Sequence, residues 1–265
     1  MKKIIISVLF LFFVIAEINS QVPNTIKYSE AELKVFSTLW HQQSAEYKAL
    51  CYQAFNIATE RIINMANQNY RGKPRAIITD CDETILDNSP LYAKLVMENK
   101  EYNQTEWKDW TNLSIAESVP GAVDFFQMAH EKGFVIFYVS NRDTSEVEST
   151  LKNLINLGFP DAKKSNMLFM SITSSKEERR QIIMKNYNVV MLLGDNLNDF
   201  SDIFRKRTIA ERSSQTDNTR EEWGKKFIVL PNDIYGEWEN ALYNYNSDLS
   251  TSQKDSCRRE LLKSY

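Results

Sequence analysis

One stretch of the chain, AIITDCDETILDNSP at residues 76–90, joins a short apolar run directly to two aspartates. Arg75–Thr79 is predicted to form a buried β-strand, because a continuous apolar run suits a strand that is covered on both faces. Asp80 then lies at the carboxyl end of this strand, the edge at which open α/β sheets bind their ligands. Since side chains alternate along extended backbone, Asp80 and Asp82 can face the same pocket. A solvated acidic turn would contain the same residues, so this interpretation depends on the rest of the chain.

The composition excludes several classes of protein. The chain has 265 residues, 43% of them hydrophobic, which is enough to bury a full core. A net charge of −3, with acidic and basic residues mixed, predicts no nucleic-acid partner. The only histidines are His41 and His130, which argues against a histidine nucleophile or a histidine metal cluster. Three cysteines, Cys51, Cys81 and Cys257, are not a disulfide framework; Cys51 and Cys257 could pair, but separate thiols are favoured.

The amino terminus is typical of a secretory signal peptide. Lys2 and Lys3 precede an apolar run at residues 4–16, which is too short to favour a membrane span. We predict a signal peptide at residues 1–20, cleaved after Ser20, and a periplasmic or secreted protein with no stable membrane span in the mature chain. An uncleaved anchor is the alternative.

The rest of the chain alternates between apolar strands and amphipathic helices. Further strands are predicted at residues 134–139, 166–170, 189–193 and 227–230, and helices at 29–68, 120–132 and 145–157, with another beginning near Ser174 and a helical tail from Glu239. Ser175 and Glu178 have capping-box spacing, which predicts Lys176 in the first turn of its helix. The alternation predicts an α/β fold with a doubly wound, mostly parallel sheet.

Polar residues follow three of the predicted strands. Asp80 and Asp82 follow the first, Ser140 and Asn141 the second, and Asp195 and Asp199 the strand at residues 189–193. Because the carboxyl ends of parallel strands meet at one edge, these residues and Lys176 are predicted to converge. Each group has an ordinary alternative: a helix cap at Ser140, a solvated lysine, and a turn around Asp195. Four groups in this order favour a common site.

The predicted site suits phosphoryl transfer. Asp80 would attack phosphorus to form an aspartyl-phosphate, and Asp82 would protonate the leaving oxygen and later deprotonate water. Neighbouring carboxylates repel unless a cation lies between them, and oxygen ligands with few histidines favour Mg²⁺. The candidate metal ligands are Asp80, Asp82, Asp195 and Asp199, and the candidate phosphate-binding residues are Ser140, Asn141 and Lys176.

These motifs resemble those of the haloacid-dehalogenase-like phosphatases. The matching residues are DCDET at 80–84, Ser140, Lys176 and GDNLND at 194–199. The chain is more closely similar to the class C bacterial acid phosphatases, the lipoprotein-e type 5′-nucleotidases. That closer resemblance rests on DETILDNSP at 82–90, VPGAV at 119–123, SNR at 140–142, GDNLNDF at 194–200, EYKAL at 46–50, LPN at 230–232 and YG at 235–236.

The resemblance implies a Mg²⁺-dependent phosphomonoesterase that acts outside the cytoplasm, often on nucleoside 5′-monophosphates, and commonly forms a homodimer. It also implies a helical subdomain built from both chain ends. The expected organisation is a helical segment at 21–74, a phosphatase core at 75–235 with a cap insertion at about 88–119, and a helical tail at 236–265. Trp107 and Tyr235 occupy positions where the family sandwiches a nucleoside base between aromatic rings; their ordinary alternative is packing. No cysteine lies directly after the apolar run of the predicted signal peptide, so a lipid tether is not expected.

Three other functions remain open. A non-catalytic protein that binds nucleotide or haem could use the same scaffold, although it has no need of a nucleophile beside a metal. A phosphotransferase would share the aspartyl-phosphate and pass the phosphoryl group to an alcohol. A receiver domain also uses acids, a hydroxyl and a lysine, but in a different order along a shorter chain.

Overall fold

A computed structural model describes residues 29–265, so the predicted signal peptide lies outside the described residues. The strands, in chain order, are β1 (Arg75–Thr79), β2 (Leu86–Asp87), β3 (Glu117–Ser118), β4 (Val135–Asp143), β5 (Met167–Met170), β6 (Asn188–Gly194) and β7 (Phe227–Val229). Five of them form a sheet in the order β5-β4-β1-β6-β7, in which all neighbours are parallel. This confirms the parallel sheet, with β1 at its centre.

Helices cover both faces of the sheet. They are α1 (Val35–Gln43), α2 (Ala45–Ala66), α3 (Ser89–Met97), α4 (Gln104–Leu113), α5 (Ala122–Glu131), α6 (Val147–Leu157), α7 (Glu177–Met184), α8 (Ile209–Asn218), α9 (Glu237–Leu242) and α10 (Thr251–Glu260). Because side chains alternate along β1, Ile77 packs in one apolar cluster with Phe55 of α2 and Phe126 of α5. Ile78 packs in a second cluster with Ile183 of α7. The doubly wound α/β arrangement is therefore confirmed.

Three local features differ from the sequence-based expectations. The helix expected at residues 29–68 is interrupted at Ser44, which is extended and whose hydroxyl accepts a hydrogen bond from the backbone N–H of Tyr47 at 3.0 Å, so that it caps α2. Strand β4 continues to Asp143 instead of ending at Val139. Helix α8 was not anticipated, because its residues are largely polar; the capping box formed by Thr208 and Glu211 is the signal that would have found it.

An insertion between β1 and α5 contains β2, α3, α4 and β3. Its two short strands pair antiparallel, with Leu86 opposite Ser118. Helices α3 and α4 contribute buried side chains to a third apolar cluster, which includes Leu91, Trp107 and, from the far end of the chain, Ile234. The insertion therefore packs against the segment that follows β7.

The two ends of the described chain also meet. The Arg258 guanidinium of α10 donates to both carboxylate oxygens of Glu30, each at 3.0 Å, and Lys34 pairs with Glu239 at 2.8 Å. The division into core, cap and helical subdomain stays a prediction. Cys51, Cys81 and Cys257 are all free thiols. Across residues 29–265, no helix combines the length and the apolarity needed to cross a membrane.

Candidate active site

The carboxyl ends of the neighbouring strands β1 and β6 form the floor of the site. The backbone N–H of Asp80 donates to the carbonyl of Leu193 at 3.0 Å, which holds the residue after β1 against β6. Asp195 follows directly after β6. Parallel pairing thus brings together two aspartates that lie more than a hundred residues apart in the sequence.

Three carboxylates converge at this edge. Asp80, Asp195 and Asp199 each offer an oxygen, and these three oxygens lie within 4.8 Å of one another. Asp199 belongs to a short 3-10 turn, where its Oδ2 accepts from the backbone N–H of Asn196 at 3.0 Å. A Cβ atom at Gly194 would lie 2.4 Å from Oδ2 of Asp199, so only glycine allows this close approach.

Lys176 supplies the positive charge among these acids. Its Nζ lies 2.6 Å from Oδ1 of Asp80 and 2.7 Å from Oδ1 of Asp199, and the side chain is only 4% exposed. Burial lowers the pKa of Lys176, but the two carboxylates outweigh burial and raise it above the ordinary value. The lysine therefore stays charged.

The expected capping box at the start of α7 is not formed, because α7 begins at Glu177 and Lys176 is its N-cap residue. The Ser175 hydroxyl instead accepts from the backbone N–H of Glu177 at 3.2 Å and donates to Asp202 at 2.6 Å. Lys176 therefore lies at the start of α7 without the capping box that was predicted between Ser175 and Glu178.

The acids carry raised pKa values, as expected where like charges are buried together. Burial, opposed by Lys176 and reinforced by the charges of Asp199 and Asp82, raises the pKa of Asp80 to about 7. Burial, with the charges of Asp199 and Asp80, raises the pKa of Asp195 well above its usual range. One lysine does not balance three carboxylates, so their oxygens suit a divalent cation, which would relieve this repulsion.

Asp82 lies outside this group, because its carboxylate pairs with Arg142. The Arg142 Nη2 and Nε donate to Oδ1 of Asp82 at 2.7 and 3.0 Å, and the Asn88 amide donates to the same oxygen at 2.9 Å. Arg142 is 3% exposed and Asn88 is fully buried. The SNR motif contained Arg142, but sequence reasoning assigned it no role, since nothing in its spacing reveals a partner sixty residues earlier.

The two residues after the apolar part of β4 have different surroundings. The Ser140 hydroxyl is fully buried; it accepts from the backbone N–H of Arg142 at 3.0 Å and lies 3.4 Å from Oδ2 of Asp82. Asn141 is exposed and lines the cavity, and its Oδ1 accepts from Arg179 at 2.6 Å. Both residues lie at the carboxylate edge, and their phosphate-binding roles stay a prediction.

A cavity of about 480 Å³ opens over the carboxylates. Its lining also includes four aromatic residues, which form its aromatic wall: Tyr92, Tyr102, Trp107 and Tyr235. The rings of Tyr92 and Tyr235 stack, with centroids 5.2 Å apart and planes 24° apart. Trp107 is 7% exposed and lies beneath the Arg142 guanidinium, 5.5 Å from the ring centroid. Trp107 and Tyr235 are therefore brought to one cavity, and Tyr92 and Tyr102, which were not predicted, line it with them.

Two further polar residues, which also went unpredicted, support the cavity. The Tyr235 hydroxyl donates to the carboxyl of Glu83, a buried residue with a positive φ of 52°. Burial and the neighbouring charge of Asp82 raise the pKa of Glu83 well above its usual range. The Asn232 amide donates to Oδ2 of Asp195 at 2.8 Å and so holds a candidate metal ligand.

Comparison with known proteins identifies the family. The family model of the HAD superfamily, subfamily IIIB (acid phosphatase), matches residues 15–238. The class C acid phosphatase from Bacillus anthracis superposes with a TM-score of 0.85 at 38% identity, covering 89% of this chain and 99% of that one. A second structure of that enzyme, with tungstate bound, also gives 0.85, at 37% identity, covering 89% of this chain and 98% of that one. The chain belongs to HAD superfamily subfamily IIIB, the acid phosphatases, as the resemblance of its motifs implied.

More distant relatives occur in plants. A stem 31 kDa glycoprotein of Glycine max is 26% identical over 164 residues, which are 60% of this chain and 61% of that protein. Acid phosphatase 1 of Solanum lycopersicum is 27% identical over 128 residues, which are 46% of this chain and 50% of that protein. The chain thus spans between half and three-fifths of the length of these relatives. Family membership indicates a phosphomonoesterase.

Proposed function

We propose that this protein is a secreted, Mg²⁺-dependent acid phosphatase that hydrolyses phosphate monoesters, in particular nucleoside 5′-monophosphates, through phosphorylation of Asp80. The proposal rests on one arrangement, in which the Asp80 carboxylate faces an open cavity beside Lys176 and two further carboxylates. Family membership and the tungstate-bound relative support it, because tungstate is a tetrahedral oxyanion of the same shape as phosphate.

In the proposed reaction an oxygen of Asp80 attacks phosphorus and the bond from phosphorus to the ester oxygen breaks. The two short contacts of Arg142 are both with Oδ1 of Asp82, so the proton of this residue would be carried by Oδ2. Asp82 donates that proton to the departing oxygen, so the alcohol leaves neutral. Asp82 then takes a proton from water, whose oxygen attacks the phosphorus of the aspartyl-phosphate. The bond from phosphorus to the Asp80 oxygen breaks, which releases inorganic phosphate and restores the Asp80 carboxylate. Arg142 holds the Asp82 carboxylate in one orientation through its two short contacts. Lys176 keeps Asp80 and Asp199 from repelling the incoming phosphate.

Asp80, Asp195 and Asp199 would hold the Mg²⁺ ion, while Asp82, engaged with Arg142, serves in acid–base chemistry. Bound there, the ion would supply positive charge that shields the attack of one anion on another. Asn232 orients Asp195 by its hydrogen bond of 2.8 Å, and the Thr84 hydroxyl contacts the other carboxylate oxygen at 3.3 Å. Residues from three loops, those after β1, β6 and β7, would therefore hold the ion or orient its ligands.

The first test measures hydrolysis of p-nitrophenyl phosphate with Mg²⁺, after chelation with EDTA, and after Mg²⁺ is restored. We expect chelation to lower the rate at least about 100-fold, because metal assistance contributes several kcal/mol to such reactions, and readdition to restore it. Far-ultraviolet circular dichroism before and after chelation controls for unfolding. A folded protein with Mg²⁺ and no hydrolysis would contradict the proposal and favour a non-catalytic nucleotide- or haem-binding protein.

The same assay tests phosphotransfer. Adding an alcohol such as glycerol leaves the ratio of released phosphate to released p-nitrophenol at one if water is the acceptor. A ratio clearly below one, with glycerol phosphate formed, would identify a phosphotransferase, since both activities share the aspartyl-phosphate.

The aromatic wall supports a nucleotide substrate, because base–aromatic stacking is worth roughly 1–3 kcal/mol and tolerates any base. We expect Trp107→Ala to raise KM for adenosine 5′-monophosphate about 10-fold and to change kcat/KM for glycerol phosphate far less. Trp107→Phe, which keeps an aromatic face, should retain most of the nucleotide activity. Equal losses on both substrates would instead assign Trp107 to packing, or to support of Arg142.

Export, assembly and domain organisation complete the proposal. Export rests on the signal peptide predicted at residues 1–20, and the glycoprotein relative is consistent with it. The homodimer, the cap insertion and the helical subdomain rest on the family resemblance. The contacts of Glu30 with Arg258 and of Lys34 with Glu239 support a subdomain built from both chain ends.

A further inference from the structure

The segment at residues 231–235, called the Asn232 loop here, reaches the active site at two points. The Asn232 amide donates to Asp195 at 2.8 Å, and the Tyr235 hydroxyl donates to Glu83. Within the loop, the backbone N–H of Ile234 donates to Oδ1 of Asn232 at 3.0 Å. A shift of this loop would therefore move a candidate metal ligand and the aromatic wall together.

The residues between these two points are held by the N-terminal helical region. Nε2 of His41, on α1, lies 3.1 Å from Oδ1 of Asp233. One residue further along, the carbonyl of Ile234 accepts a hydrogen bond from Lys34, a residue 200 positions earlier in the chain. Lys34 also pairs with Glu239 at 2.8 Å. Two neighbouring loop residues are thus bound by side chains of one distant segment.

Burial of the His41 side chain is unfavourable for the stability of the fold. The side chain is fully buried, and among the described residues neither of its ring nitrogens has a hydrogen-bond partner of good geometry, although Nε2 lies 3.1 Å from Oδ1 of Asp233. An imidazole buried without well-formed hydrogen bonds costs stability that an apolar side chain would not. The charged and titratable groups around it are Asp233, Asp87 and Tyr47. Burial lowers the pKa of His41, against the attraction of Asp233 and Asp87. Among the described residues, its ion-pair contact is with Asp233 of the Asn232 loop.

We propose that His41 and Lys34 form a clasp on the Asn232 loop and act as positioning residues for the reaction. Through the loop they set the placement of Asn232 against Asp195 and of Tyr235 in the aromatic wall. The kinetic consequence rests on the proposed phosphatase function. The structural consequence, an ordered loop, does not.

A double-mutant cycle tests the clasp in the full-length protein. His41→Leu removes the contact between His41 and Asp233 and leaves a well-buried apolar side chain. Asp233→Ala removes the same contact by truncating its partly exposed partner. We expect each single variant to lower kcat/KM for adenosine 5′-monophosphate about 10-fold and to raise the Mg²⁺ concentration for half-maximal activity. The double variant should be no worse than either single variant, because both remove the same interaction. His41→Gln, whose side-chain amide can donate a hydrogen bond to Asp233, should recover part of the loss.

The chain offers a matched control in its other histidine. His130 on α5 lies 3.3 Å from Asp161, half exposed and among residues that do not line the cavity. His130→Leu should leave kcat/KM and the Mg²⁺ requirement unchanged. Additive losses in the His41 and Asp233 double variant, or an equal loss in the His130 variant, would overturn the clasp.

Hydrogen exchange gives a readout that does not need activity. We expect the backbone amide of Ile234, which is hydrogen-bonded to Oδ1 of Asn232, to exchange at least about 10-fold faster in His41→Leu and in Asp233→Ala, and at the wild-type rate in His130→Leu. If the wild-type protein hydrolyses no ester but this amide responds as expected, the phosphatase proposal fails and the clasp stands. If the wild type is active and the exchange rates of both variants are unchanged, the clasp is wrong.

Discussion

Asp80→Asn is expected to abolish phosphatase activity on every substrate, lowering kcat about 10⁴-fold or more. An amide oxygen is a poor nucleophile toward phosphorus, so no covalent intermediate forms and both displacement steps are lost. The fold should persist. Burial raises the pKa of Asp80 to about 7, so the folded protein already disfavours its charge, and a neutral side chain of the same shape removes that penalty. Steady-state kinetics and thermal unfolding of the variant measure the two effects.

Acid-quenched reactions with phosphate-labelled substrate provide the direct comparison for this variant. Wild-type protein should carry the label on residue 80, and the variant none. Asp217→Asn, an exposed aspartate on α8, is the matched control and should label as wild type does. Labelling of any other residue, or more than one hundredth of the wild-type rate in the Asp80 variant, would contradict the nucleophile assignment.

Lys176→Met is expected to lower both activity and stability. The variant removes the cation that lies 2.6 Å from Asp80 and 2.7 Å from Asp199, so two carboxylates in a buried site lose their partner. Breaking a buried ion pair from one side typically costs about 3–5 kcal/mol in the free energy of unfolding, because it leaves an uncompensated charge. We expect kcat to fall about 1000-fold, since the lysine also holds the phosphate oxygens in the proposed reaction. Urea unfolding and p-nitrophenyl phosphate hydrolysis measure the two losses.

Lys185→Met is the control for this second variant. Lys185 is exposed at the end of the same helix, α7, so its replacement changes the same residue type outside the site. It should change unfolding free energy by less than about 0.5 kcal/mol and leave kcat unaltered. Unfolding in EDTA separates the loss of the lysine from any change in metal binding. A Lys176 variant with wild-type stability in EDTA would show that Asp80 and Asp199 do not need this cation in the fold.

The convergence of Asp80, Asp195 and Lys176 could be anticipated from the order of strands and polar residues. Parallel strands place their carboxyl ends at one edge whatever their distance in the sequence, so residues that follow buried strands must approach each other. The need for glycine at position 194, by contrast, could not be predicted from the order of strands. It depends on the close approach of Asp199 to Gly194, which only the structure shows. The prediction of α8 failed for the opposite reason, because a largely polar helix has no apolar periodicity to detect.

Side-chain partners across long distances could not be read from the chain. Arg142 stood in a recognised motif, yet its pairing with Asp82 follows from the close approach of β4 and β1 and from the burial of both groups. His41 had no predicted partner, and its contact with Asp233 depends on how α1 lies against the segment that follows β7. Periodicity and motif order are local or sequential properties, and they determined the parallel α/β fold and the carboxylate edge. Only the tertiary structure decides the pairing of charged side chains and the contact of a distant helix with an active-site loop. Both depend on packing in three dimensions, because burial makes each unpaired polar group costly.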